Sequence, residues 1–179
     1  GLCYAPVPPY EVVATPTFDA ADLRRAAGWS QILDRFYNPA SLQALVRGAV
    51  AAPGAFAAFA GRCEAGGLLA APVSLERRFR FLADTVVVDR PALLSAWRLA
   101  WLDAGMSPHD SRVGASPWRA PLPDGGEWRY GEKSLAGFET ARFWHLPTPA
   151  AEYWFVYDRR HSPHAPVACL CRRRAAATV

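Results

Sequence analysis

The sequence has almost no lysine, a single methionine, four cysteines and no long apolar run. Lys133 is the only lysine, so arginine supplies nearly all of the basic charge. Abundant arginine and alanine are typical of a GC-rich bacterium. No stretch of about 18 apolar residues occurs, which argues against a transmembrane helix. Four cysteines are too few for a disulfide framework. We therefore expect a cytoplasmic protein, although a sequence that starts at Gly1 leaves a removed signal peptide open.

The motifs of well-known catalytic sites are also absent. The chain contains no G-x-S-x-G, no P-loop, no G-x-G-x-x-G, no C-x-x-C and no H-E-x-x-H. We therefore predict no cofactor and lean towards a protein that is not an enzyme. The formal net charge of +4 is scattered, apart from the cluster Arg172–Arg174. Binding of nucleic acid through this cluster is a weaker alternative function.

Hydrophobic residues make up 51% of the chain, which is enough for a compact core. Residues 1–17 contain four prolines and predict an extended arm that pairs at a sheet edge. Residues 18–179 are expected to form one domain. Within it, apolar spacing predicts a helix over 19–37, capped by Thr17 or Asp19.

Further helices follow up to about residue 105. Asn38 is predicted to cap the second helix, which Pro53 and Gly54 should break. Residues 74–88 fit either a helix or a pair of strands, and we favour the helix. Residues 90–104 give the clearest helical pattern, with Pro91 in the first turn. Residues 106–126, rich in proline, glycine and serine, are expected to form a loop.

From about residue 127 the pattern changes to short aromatic and β-branched segments. "EWRYG", "ETARFWHL", "EYWFVYDRR" and "VACLCRRR" are separated by turn residues, which predicts three or four antiparallel strands. The fold class is therefore α+β, with a helical N-terminal half followed by a C-terminal antiparallel meander. A four-residue loop at 147–150 would place His145 opposite Glu152 on neighbouring strands. A loop at 161–166 would place Cys169 on that same face.

His161, His164 and Cys169 contain the types of side chain that bind zinc. However, His145 and Cys169 lie about 20 Å apart in the predicted meander, whereas zinc ligands converge within 2.0–2.3 Å of one point. We therefore predict no metal, and keep His161, His164 and Cys169 as the alternative site.

His145 and Glu152 are the candidate catalytic residues. A carboxylate beside an imidazole can orient it for general acid–base chemistry. A polar cross-strand pair is the commoner arrangement. A small enzyme that uses this pair, or His161 with His164, is therefore the alternative function.

Aromatic side chains lie on both faces of the predicted sheet, so both faces need cover. A partner or the N-terminal arm can cover the face that helices leave open. We predict a partner-binding surface from these aromatic residues, which are Trp144, Tyr153, Trp154, Phe155 and Tyr157.

Two stretches resemble the partner subunits of methanobactin biosynthesis. "NPASLQALVRGAV" with "PGAFAAFAG" is similar to a Ser-Leu-x-Ala helix of that family, and "PLPDGGEWRYGEKSLAGFETARFW" is similar to its Pro-Leu-Pro-Asp-Gly-Glu segment and following strand. The match covers a quarter to a third of the chain. The resemblance implies a non-catalytic accessory subunit that forms a heterodimer with an iron-dependent oxidase. It also implies binding of a precursor peptide, partly by strand addition.

Overall fold

The computed structural model describes residues 3–4, 6, 12–131, 141–158 and 165–174. The chain forms two compact units, Gly1–Arg78 and Phe79–Val179. The expected single domain over residues 18–179 stays a prediction. Within the described ranges, none of the helices has the length and apolar character that crossing a membrane requires.

The first unit begins with two short strands, β1 (Cys3–Tyr4) and β2 (Val12–Ala14), which pair antiparallel with each other. Helix α1 (Ala20–Ile32) follows. The Asp19 carboxylate caps it by accepting hydrogen bonds from the amides of Ala21 at 2.7 Å and Asp22 at 2.8 Å. The predicted cap and helix are confirmed, although the last turn, Leu33–Tyr37, is π-helical.

Helices α2 (Ala40–Ala49) and α3 (Ala55–Ala65) complete this unit. The prediction that Asn38 caps α2 is wrong. The Asn38 side-chain amide instead donates to the Asp34 carboxylate at 2.8 Å, because the π-helical turn continues the helix as far as Asn38. Gly54 has a φ of 74°, which only glycine adopts readily, so the predicted break between α2 and α3 is confirmed.

Helix α4 (Leu75–Leu82) continues into a second π-helical turn, Ala83–Val87, which confirms the favoured helix over 74–88. A 3₁₀ turn at Pro91–Leu93 leads into α5 (Leu94–Asp103). In the second unit the Trp97 indole N–H donates to the carbonyl of Phe79 at 2.8 Å. This bond satisfies a buried donor and fixes α5 against the end of α4.

Five strands form the sheet of the second unit: β3 (Ser116–Trp118), β4 (Glu127–Tyr130), β5 (Arg142–Pro147), β6 (Ala151–Tyr157) and β7 (Ala168–Arg173). Their order is β3-β5-β6-β7-β4, and every neighbouring pair is antiparallel. The α+β class is therefore confirmed. The prediction of a loop over 106–126 is wrong for Ser116–Trp118, which form β3 and add a fifth strand at the edge of the sheet.

The sheet has two faces, which we name by one residue each. The Trp154 face also carries Trp118, His145 and Glu152, whereas the Cys169 face also carries Trp144. The Cys169 face packs against α5, where the Asp103 carboxylate accepts hydrogen bonds from Arg129 at 3.0 Å and Tyr130 at 3.0 Å. This partly exposed contact joins β4 to α5.

Candidate functional site

The pairing of β5 with β6 differs from the expected register by two residues. His145 lies opposite Trp154, and Glu152 lies opposite Pro147. The turn between the strands is tighter than expected because the Thr148 amide and hydroxyl both donate to the Ala151 carbonyl at 2.8 Å. A shift of two residues keeps each side chain on its face. His145 and Glu152 therefore still share the Trp154 face.

The pairing of β6 with β7 differs from the expected register by three residues, which reverses the face. Trp154 lies opposite Leu170, and Phe155 lies opposite Cys169. The expectation that Cys169 shares a face with His145 is therefore wrong. The observed register is favoured because it buries Leu170 and places Glu152 opposite Arg172.

An aromatic stack occupies the Trp154 face. The His145 imidazole lies parallel to the Trp154 indole, with ring centroids 4.9 Å apart and an interplanar angle of 24°. Trp118 from the edge strand β3 contacts both rings, at 5.1 Å from His145 and 5.8 Å from Trp154. The Arg172 guanidinium lies over Trp154 at 5.4 Å. Contacts of these kinds are each favourable, and the two ring contacts made by Trp118 hold it against the Trp154 face.

Glu152 is bound mainly by arginine. Arg172 donates to one carboxylate oxygen at 2.7 Å, and Arg174 lies 3.6 Å from the other. The hydrogen bond from Arg172 is the main reason why the pKa of Glu152 lies below its ordinary value. The carboxylate is thus ionised at neutral pH and already engaged on both oxygens.

His145 and Glu152 do come together, but at a longer distance than a good hydrogen bond. Nε2 of His145 lies 3.5 Å from Oε1 of Glu152. Burial lowers the pKa of His145, and the neighbouring Glu152 only partly opposes this effect. The imidazole is therefore neutral at pH 7. Its assignment as a general base stays a prediction.

The five predicted partner-binding residues differ in burial. Trp154 and Phe155 are 1% and 0% exposed, so they are core side chains that can only support a binding surface. Trp144 is 9% exposed, and Tyr153 and Tyr157 are half-buried. Trp154 Nε1 and Tyr157 Oη are buried without a hydrogen-bond partner among the described residues.

The C-terminal arginines do not form one basic surface. Arg172 and Arg174 project from the Trp154 face towards Glu152, whereas Arg173 lies on the opposite face of β7. The arginine cluster that was predicted to contact nucleic acid is therefore split between the two faces of the sheet.

The alternative metal site is only partly described. His161 and His164 lie outside the described residues. Cys169 is fully buried, and burial raises the pKa of its thiol to about 12, which disfavours the thiolate that metals bind. Within the described ranges, no three side chains of His, Cys, Asp or Glu are grouped closely enough to bind a metal ion.

A groove of about 530 Å³ lies near the turn between β5 and β6. Tyr153 and Cys171 contribute to its lining, together with Arg173. The Arg129 guanidinium, held by Asp103, lies over the Tyr153 ring at 5.6 Å. Tyr153 therefore packs against Arg129 on the Cys169 face.

A larger groove of about 840 Å³ lies beside β3, and we call it the β3 groove. The Trp118 indole N–H donates to the carbonyl of Pro121 at 3.2 Å, which orders one wall. His109 contacts Trp144 edge-on, with centroids 4.6 Å apart. The groove is lined by aromatic, basic and small side chains, which are His109, Pro117, Trp118, Arg119, Ala120, Pro121, Ala141, Arg142, Phe143 and Trp144.

Among the predicted site residues that the structure describes, only Trp144 lines this groove. Sequence reasoning missed Trp118 and Arg119 because residues 106–126 were assigned to a loop, and it missed Arg142 because the pairing of β5 with β3 was not foreseen. The available signal was the isolated Trp118 beside Pro117, since proline within a sheet is confined to edge strands and bulges.

Comparisons with protein-family models, curated proteins and solved structures find no match for this chain.

Proposed function

We propose that the protein is a non-catalytic accessory subunit that binds a partner polypeptide through the β3 groove. The observation that carries this proposal is the composition of the lining. It combines Trp118 and Trp144 with two arginines, and among the described residues it contains no carboxylate, thiol or hydroxyl side chain. Among the described lining residues, His109 is the one candidate base, and no carboxylate orients it. Such a surface is suited to binding rather than to covalent or acid–base chemistry.

Tryptophan and arginine are the residues that most often dominate the energy of protein interfaces. The volume of about 840 Å³ also lies in the range of pockets that bind ligands. The buried Trp154 has a supporting role in this proposal. It packs edge-on against Trp118 and therefore helps hold one wall of the groove.

The resemblance to methanobactin partner subunits leads us to propose an enzyme-bound heterodimer and a precursor peptide as the partners. We place the peptide in the groove rather than at a sheet edge. Pro117 lacks an amide hydrogen in β3, and the pairing of β4 with β7 is irregular between Trp128 and Tyr130. Both features blunt an edge against strand addition. The free cysteines agree with a cytoplasmic location.

A small enzyme is the second candidate, and the observation in its favour is the contact of 3.5 Å between His145 and Glu152. The engagement of Glu152 by Arg172 and Arg174 argues against it, because the carboxylate is not free to orient the imidazole. Neither residue lines the β3 groove.

Co-expression with the polypeptides encoded by flanking genes tests the proposal. Ala120 is exposed and lines the groove, so Ala120→Trp should fill it and abolish a complex that co-elutes in size-exclusion chromatography. Ala58→Trp, at an exposed position of α3, is the matched control. If no complex forms with the unmodified chain, or if Ala120→Trp leaves the complex intact, the proposal fails.

A further inference from the structure

Two arginines lie together at the β3 groove. The last pair of the β3–β5 ladder is Trp118 with Phe143, and the next residues outward are Arg119 and Arg142. Both arginines are exposed, and both line the groove. In the described part of the chain, no ion pair joins either guanidinium to a carboxylate.

Several other arginines of this unit do have acidic partners. Arg129 pairs with Asp103, Arg112 with Asp84 and Arg172 with Glu152. Like charges at adjacent cross-strand positions repel each other. An anion bound between Arg119 and Arg142 would offset that repulsion and could accept hydrogen bonds from both.

An apolar surface lies next to these charges. Along β5, Trp144 follows Arg142 at the second position, so both side chains lie on the Cys169 face. Trp144 is 9% exposed, so only a small part of its ring lines the groove, whereas the half-buried Trp118 lines the same groove with more of its surface. The groove therefore offers a pair of cations beside an aromatic surface.

We propose that the β3 groove binds an acidic segment of an extended peptide. A side-chain carboxylate lies between Arg119 and Arg142, and a neighbouring apolar side chain of the peptide packs on Trp118 and the exposed edge of Trp144. This inference rests on the proposed function and specifies the chemistry of the partner that the groove selects.

A peptide fits this site better than a nucleic acid does. Nucleic-acid affinity depends on many phosphate contacts, and the described lining of the groove supplies two arginines. The arginines of β7 are divided between two faces, and Arg172 and Arg174 are engaged with Glu152. A peptide needs only one carboxylate contact together with an apolar contact.

The test uses a short fluorescein-labelled peptide in which glutamate alternates with phenylalanine and proline, together with its glutamine counterpart. Binding to the full chain is measured by fluorescence anisotropy. The glutamate peptide should bind about tenfold more tightly than the glutamine peptide. Arg119→Gln and Arg142→Gln should each remove most of that preference. Arg24→Gln, at an exposed position of α1, should leave it unchanged.

Charge reversal provides a gain of function. The double variant Arg119→Glu/Arg142→Glu should prefer a peptide with arginine in place of glutamate, which a merely unfolded variant does not do. Each variant is checked by thermal melting. Unlabelled glutamate peptide, oligo(dT) and inorganic phosphate are then compared as competitors of the labelled peptide. If oligo(dT) or phosphate displaces the labelled peptide at a lower concentration than the unlabelled peptide does, the choice of a peptide carboxylate is contradicted.

The outcomes separate this inference from the proposed function. If both peptides bind equally and Ala120→Trp abolishes both, the groove binds peptides but the two arginines do not select charge. If neither peptide binds, the acidic-segment proposal is overturned, while the co-expression test still decides whether the groove binds a partner.

Discussion

The imidazole of His145 stacks on the indole of Trp154, with ring centroids 4.9 Å apart. Trp118 contacts both rings from the edge strand and also lines the β3 groove. The stack therefore connects the buried middle of the sheet with the surface that we propose for binding.

Replacement of Trp154 should destabilise the protein before it affects binding directly. Trp154 is 1% exposed, and Trp154→Ala leaves a large cavity beside Trp118. We expect a loss of about 3–5 kcal/mol in the free energy of unfolding. Urea denaturation followed by circular dichroism measures this loss. A loss as small as that of Trp29→Ala, at a 38%-exposed control position, contradicts the packing role.

The stability of the protein should depend on His145 below neutral pH. Burial lowers the pKa of this imidazole in the folded state, so the unfolded chain binds more protons. The free energy of unfolding therefore falls as the pH drops through the unfolded pKa, about 6.5, towards the lower folded value. His145→Gln should show a smaller loss between pH 7.5 and 5 than the parent chain. Equal losses in urea denaturation rule out this role for His145.

Glu152 should contribute in a lower pH range. Its folded pKa is lowered, mainly by the hydrogen bond from Arg172, so its stabilising effect is present above the unfolded pKa and is lost at more acidic pH. At neutral pH, Glu152→Gln should cost about 1 kcal/mol or less, because the ion pairs are partly exposed. A much larger loss in urea denaturation at pH 7.5 indicates that the carboxylate has a further role.

The variant Glu152→Gln also tests the alternative function, binding of nucleic acid. The parent chain should bind duplex DNA weakly, with affinity that falls steeply as salt rises. Glu152→Gln releases Arg172 and Arg174, so it should bind DNA more tightly at low salt. Sub-micromolar binding by the parent chain at physiological salt, measured by electrophoretic mobility shift, favours the alternative over the proposed peptide function.

Zinc should be present at far less than one equivalent per chain. The Cys169 thiol is fully buried, and its raised pKa of about 12 keeps it protonated. Elemental analysis of purified protein, with Cys169→Ala as the comparison, measures this. One zinc per chain that is lost in Cys169→Ala contradicts the prediction.

The sequence was sufficient for the fold class because helical periodicity and alternating aromatic segments occupy different halves of the chain. It was not sufficient for strand register. The turn at Thr148 is closed by a side-chain hydrogen bond, and the pairing of Trp154 with Leu170 depends on burial across the sheet. The amino-acid composition of the strands specifies neither the turn nor the pairing.

The β3 groove was missed for a related reason. β3 is only three residues long and contains Pro117, so it has no alternating pattern to recognise. Arg119 and Arg142 are 23 positions apart in sequence, and only the β3–β5 pairing brings them together. The chemistry of the groove is therefore a product of the strand pairing rather than of a local motif.

Photo-crosslinking from within the groove tests the central claim most directly. A photoreactive phenylalanine derivative replaces Ala120, which lines the groove, or Ala58, on the exposed surface of α3, in cells that also express the polypeptides of the flanking genes. We expect one defined covalent adduct from position 120 and none from position 58, with the adduct reduced by Arg142→Gln. A complex that co-purifies with the chain but yields no adduct from position 120 contradicts the account.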